Sequence, residues 1–286
     1  MKTDVMPEVL TVDIGDADLS YLLYDGDGPT LILMHATGFL PWLWHPIARE
    51  LSDSWRVIAP YFCDHRQTDP EKGGLDWMTI AQDLSVFCDR LGIRNAALVG
   101  HSMGATVLML SHAAFGVDAR GIIMIEPIFL PKDFYTFNIT VDQHPLASRS
   151  IRRRDSWQDR DDALAYLRSK KLFMNWDSQM LELYVRYGMR EVTGGGLALA
   201  CSPKREASLF MGGMHYDPWP LIPKVRCRSL VIEGGESENR AFIDLKTATS
   251  LLPNGSYRLI EGAGHLIPME RPREITSIIR EFFGSA

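Results

Sequence analysis

The chain has 286 residues, 46% hydrophobic and 23% charged, with a formal net charge of −6. That length and balance describe one α/β domain with an insertion, or a domain plus a lid, around a large core. The acidic balance argues against nucleic acid and anionic membrane surfaces as partners, since both favour basic patches.

At the start, Met1-Lys2-Thr3-Asp4-Val5-Met6-Pro7 places no apolar core behind its lysine, so no signal peptide is expected. No apolar run approaches the ~20 residues that span a bilayer, and the expected setting is cytoplasmic. Residues 9–26 read as a hairpin, with Val9-Leu10-Thr11-Val12 and Leu19-Ser20-Tyr21-Leu22-Leu23-Tyr24 on either side of a turn. Strands are then predicted at 30–35, 56–60, 96–101 and 121–126, and helices near 41–53, 78–91 and 103–115. Pro41 suits a first helical turn and Gly92 a C-cap. This alternation implies a mostly parallel sheet with helices on both faces.

The alternation stops after Pro131. Residues 132–222 are rich in charge and aromatics, with helical stretches near 160–170 and 178–189 and no clear strand. There Leu164, Leu167, Leu172, Leu181, Leu183, Tyr184 and Tyr187 fit amphipathic helices. The triplet Gly194-Gly195-Gly196 neither follows a clear strand nor opens a helix, so it reads as a flexible loop. Strand logic resumes at Ser229-Leu230-Val231-Ile232 and again at Tyr257-Arg258-Leu259-Ile260. Cys63, Cys88, Cys201 and Cys227 lack metal or redox spacing, and no cofactor fingerprint appears, so neither metal nor cofactor is expected.

One motif carries chemistry. Gly100-His101-Ser102-Met103-Gly104 lies between the apolar run Ala96-Ala97-Leu98-Val99 and the helical run from Ala105. A G-x-S-x-G turn between strand and helix holds its serine in a strained conformation at a helix N-terminus, where free amides favour developing negative charge. The strand at 30–34 ends in His35-Ala36-Thr37-Gly38-Phe39, and the strand at 257–261 ends in Gly262-Ala263-Gly264-His265.

On these three motifs, over about residues 8 to 283, the chain resembles the α/β-hydrolase superfamily. It looks most like its cofactor-free esterase, lactonase and carbon–carbon-bond hydrolase branch. The resemblance implies an α/β-hydrolase fold with a helical cap inserted after the sixth strand. The chain then divides into a first core part at 1–131, a cap at 132–222 and a second core part at 223–286. It makes Ser102 the nucleophile and His265 the base, since a serine hydroxyl needs a base at neutral pH. The Met103 amide supplies one oxyanion donor. The residue matching the X of the family's His-Gly-X, Thr37, supplies the other, with Ala36 where glycine is commoner.

The acid has two readings. The family most often places it three residues past the glycine ending the seventh strand, and Ser237 stands there, beside Glu238. The other recognised place follows the sixth strand, where Glu126 closes an apolar run. A carboxylate there is costly to bury unless paired with an imidazolium, so Glu126 is preferred, with Glu238 the alternative. Asp64-His65-Arg66 and Arg152-Arg153-Arg154 read as structural or salt-bridged surface, although the arginines could also capture a substrate carboxylate. Phe39, Trp42, Trp44, Phe210, Met211, Met214 and Trp219 read mostly as packing.

The expected function is a serine hydrolase acting through an acyl-enzyme on a small ester or lactone with an apolar portion. Carbon–carbon or amide hydrolysis in the same pocket is the alternative. A low-turnover ligand-binding receptor is a third reading, favoured by the unusual turn at Ser237.

Overall fold

The computed structural model describes residues 5–284; residues 1–4, within the stretch read above for a signal peptide, and residues 285–286 lie outside them. In chain order, β1 (Glu8–Asp13) and β2 (Asp18–Tyr24) form the hairpin, followed by β3 (Thr30–Met34), α1 (His45–Leu51) and β4 (Arg56–Pro60). Next come α2 (Trp77–Arg90), β5 (Ala96–His101), α3 (Met103–Phe115) and β6 (Ala119–Ile125). The insert carries α4 (Pro145–Arg152), β7 (Ser156–Trp157), α5 (Arg160–Arg168), α6 (Ser178–Tyr187), β8 (Met189–Glu191), β9 (Leu197–Leu199) and α7 (Pro203–Gly212). The chain closes with β10 (Arg228–Gly234), α8 (Leu245–Ser250), β11 (Gly255–Ile260), α9 (Ile267–Glu270) and α10 (Pro272–Phe283).

The main sheet has the order β1-β2-β4-β3-β5-β6-β10-β11. Only the β1–β2 and β2–β4 pairings are antiparallel; from β4 to β11 the strands run parallel. A parallel sheet covered on both faces demands apolar side chains in both directions. Hence Ile32, Met34, Leu98 and Met124 pack on one face with α2, α3 and α8. Leu31, Leu33, Val99 and Ile123 pack on the other, with α1 and α10. β5 is buried along its whole length, which places its C-terminal end in the middle of the sheet. No helix among the described residues is long and apolar enough to cross a membrane.

Three local expectations change. The predicted helix at 41–53 begins as a 3-10 turn, Pro41–Trp44, before α1. Pro46 has no N–H to offer the Trp42 carbonyl, which accepts from the His45 amide instead. Leu172 is exposed rather than part of an apolar helix face, because α5 ends at Arg168 and the chain turns at Ser169 and Lys170. Finally, the insert is not purely helical: β7, β9 and β8 form a small antiparallel sheet. The glycine triplet is the turn of its β8–β9 hairpin, closed by the Val192 amide on the Gly196 carbonyl. Strands of two and three residues are too short to display a period of two.

The insert has its own apolar cluster, including Trp157, Leu167, Trp176, Met180 and Tyr184, which reaches the body at Leu43, Leu266 and Met269. A second tie pairs two buried thiols, those of Cys63, after β4, and Cys201, before α7. The neighbouring Cys201 thiol, together with burial, holds the Cys63 thiol well above its ordinary range.

Candidate active site

Ser102 sits between β5 and α3 with φ 55° and ψ −119°, a left-handed conformation unusual for a residue with a side chain. Its amide donates to the Ile125 carbonyl at 2.9 Å, which locks the turn to the end of β6. The flanking glycines are required by close approach. A Cβ on Gly100 would lie 2.6 Å from the Ala105 amide nitrogen, and one on Gly104 2.5 Å from the Met34 carbonyl.

The end of β6 delivers the next residue. Glu126 also has positive φ, 52°, and its amide donates to the Ile232 carbonyl of β10 at 2.8 Å. Its carboxylate is 1% exposed, so its charge has little water to solvate it. Protein donors replace that water. Oε1 accepts the Gly234 amide at 2.7 Å, and Oε2 accepts the Ser237 hydroxyl at 2.7 Å. Oε2 is also 2.9 Å from Nδ1 of His265. His265 follows β11, and its Nε2 lies 3.1 Å from Ser102 Oγ. The structure thus brings Ser102, His265 and Glu126 into one hydrogen-bonded chain. Glu238 is not in it: its exposed carboxylate faces Lys171 at 3.3 Å.

Two groups at this centre were not singled out by the sequence. Asn239 lies with its amide nitrogen Nδ2 3.0 Å from His265 Nδ1. In the sequence Ser237 marks only the place where the acid is missing. His101 has a supporting place, its Nε2–H donating to the His265 carbonyl at 2.8 Å. Burial, with His265 nearby, holds the His101 ring well below the ordinary histidine range, so it is neutral.

The loop after β3 is fixed by His35. Its Nδ1–H donates to the Ala36 carbonyl at 2.9 Å, and its Nε2 accepts the Phe62 amide at 2.9 Å. Burial pushes this ring down to about 4, so it stays neutral at pH 7. A trans peptide points its carbonyl and amide in opposite directions, so holding Ala36 O also sets the direction of the Thr37 N–H. Met103 begins α3 directly after Ser102. Gly38 follows with φ +77°, under the carboxylate of Glu206 from α7.

The arginine run divides by environment. Arg154 pairs with Asp162 at 2.6 Å near the surface, whereas Arg153 turns inward. Its Nη1 meets both Glu206 oxygens, at 3.0 and 2.9 Å, and its Nη2 donates to the Tyr184 hydroxyl at 3.3 Å. Tyr184 in turn packs edge-on against Phe39 of the loop after β3. His65 and Arg66 are tied to Asp83 of α2, at 2.8 and 2.7 Å. Burial works against the Asp83 charge, but the Arg66 and His65 hydrogen bonds outweigh it and hold the carboxyl below its usual range.

Comparison with known proteins agrees with this architecture. Residues 31–278 match the model of the alpha/beta hydrolase family. The 2-(acetamidomethylene)succinate hydrolase of Mesorhizobium japonicum is 24% identical over 95% of this chain and 93% of its own length. The pyrrolizixenacetamide deacetylase of Xenorhabdus hominickii is 23% identical over 95% of this chain and 96% of its own. Among solved structures, E-2-(acetamidomethylene)succinate hydrolase superposes with a TM-score of 0.81 at 22% identity, over 97% of this chain and 99% of that one. A family model spanning most of the residues, together with the sheet order and the serine turn, makes this chain a member of the alpha/beta hydrolase family.

Proposed function

We propose that the chain is a serine hydrolase that cleaves a small ester or lactone with an apolar portion through an acyl-enzyme on Ser102. The observation that carries this reading is the continuous hydrogen-bonded chain from Ser102 Oγ through His265 to Glu126. In the reaction, His265 Nε2 takes the Ser102 proton as Oγ attacks the carbonyl carbon. The Met103 and Thr37 amides receive the oxyanion, and the leaving oxygen collects the proton from Nε2. Water, activated by the same nitrogen, then releases the acid and restores Ser102. Glu126 remains charged and stabilises the imidazolium that forms twice in each cycle. The substrate is a small molecule, and the proposed setting is cytoplasmic.

Amide hydrolysis is the second reading, favoured by the relatives whose names specify an acetamidomethylene compound and a deacetylase. The same residues serve, with nitrogen as the leaving atom. The first test is intact mass after treatment with a fluorophosphonate, comparing the native chain with Ser102→Ala. A single adduct on the native chain alone is the expected result, and an ester, lactone and amide panel then separates the two readings. No adduct on the native chain would favour a ligand-binding receptor instead.

A further inference from the structure

The turn after β10 is where the resemblance most often places the acid, yet Ser237 and Asn239 occupy it. Both reach the centre: the Ser237 hydroxyl donates to Glu126 Oε2, and the Asn239 amide lies against His265 Nδ1. We propose that Ser237 and Asn239 are a pair of positioning residues, which hold from the β10 turn an acid and a base delivered by β6 and β11. The assignment rests on the hydrolase reading above.

Their effects on the base have opposite sign. Asn239 Nδ2 stands 3.0 Å from Nδ1. Nδ1 must carry the proton if Nε2 is to accept from Ser102, so two donors would meet there, and turning the amide over brings Oδ1 to that place instead. There it shares the Nδ1–H with Glu126 and favours the imidazolium. Ser237 works the other way. Its hydroxyl draws charge from Oε2, the oxygen that supports the same N–H, while it keeps the carboxylate from swinging away. Ser237 is 5% exposed, so no water replaces it freely.

The other titratable groups facing the ring come from several elements. His101 approaches from the serine turn with ring centroids 5.1 Å apart, and it is held neutral by burial. Glu270 of α9 accepts the Gly264 amide beside the ring at 2.8 Å. Beyond Glu126, the carboxylate of Glu233 accepts from the Tyr257 hydroxyl and lies 3.9 Å from Arg240. None of these touches Nδ1 or Nε2, so the acidic limb of reactivity belongs to His265 and Glu126.

The experiment needs no known substrate: the second-order rate of fluorophosphonate labelling is followed against pH. Ser237→Ala is expected to label roughly tenfold more slowly, with its acidic limb moved to higher pH. Asn239→Ala is expected to label more slowly with its limb moved to lower pH. Ser237→Thr, which keeps the hydroxyl, restores both rate and limb. Thermal melting of each variant verifies folding. Limbs that stay at the wild-type position, or move in the same direction, overturn the assignment even if the rates fall. A native chain that takes up no label overturns the hydrolase reading and this assignment with it.

Discussion

Glu206 lies so close over Gly38 that a Cβ on the glycine would meet its Oε1 at 2.2 Å. The carboxylate belongs to α7 and the glycine to the loop carrying Thr37, so helix and loop share one contact. Gly38→Ala is therefore expected to fail twice. Its φ of +77° costs an alanine about 1–2 kcal/mol, and the methyl displaces Glu206 or the loop. If the Thr37 amide is an oxyanion donor, as proposed above, its loss slows reaction by roughly 10² to 10³. Fluorophosphonate labelling slowed on that scale, in a protein that still melts cooperatively, is the expected outcome.

The two candidate acids separate cleanly. Glu126→Gln leaves the geometry in place but removes the charge that supports the imidazolium, and turnover is expected to fall by about 10³-fold or more. Glu238→Gln alters only an exposed side chain facing Lys171 and is expected to leave turnover within twofold. Steady-state rates on one active ester decide between them.

Breaking the Arg153–Glu206 pair is a matter of stability. Arg153→Ala strands a carboxylate that is largely buried and loses the contact to Tyr184. A fully buried pair would cost more, but the arginine is a quarter exposed, so roughly 2 kcal/mol is expected. Replacing both partners, as in Arg153→Met with Glu206→Met, is expected to cost less than Arg153→Ala alone. Urea unfolding measures both.

The neutral histidines set an acid limit on stability. His35 titrates at about 4 in the fold and at its ordinary 6.5 when unfolded. Between those values the unfolded chain binds the extra proton, so stability rises with pH across the window and is lost as pH falls through it. Taken alone, the shift is worth up to about 3 kcal/mol below pH 4. His101 is held down as well and acts in the same sense. Urea midpoints measured from pH 7 to pH 4 should therefore fall, and His35→Asn should flatten the decline.

Much of this was legible in the sequence because it rests on local or periodic signals. The buried strands appear as unbroken apolar runs, and Ser102 as a serine between two glycines at the end of one of them. Glu126 was visible as a carboxylate closing such a run, a place where charge demands a partner. Ser237 and Asn239 were not visible in this way, because serine and asparagine are ordinary turn residues until a buried ion is seen beside them. The Arg153–Glu206 pair spans 53 residues, and no local pattern joins its ends. Leu172 misled because its spacing from Leu164 continues a helix that the chain leaves at Ser169.

The hydrogen bond from His101 to the carbonyl of His265 bears on how this protein could be re-engineered. Position 101 is the variable residue of the serine turn, the kind of position a mutagenesis library would randomise in search of new substrates. Here its side chain is a strut between the loop carrying His265 and the turn carrying Ser102. A library at position 101 would disturb the spacing of those two groups together with the cavity that His101 lines beside Ala36 and Phe39. Selection for a new substrate would have to begin elsewhere, with His101 kept constant.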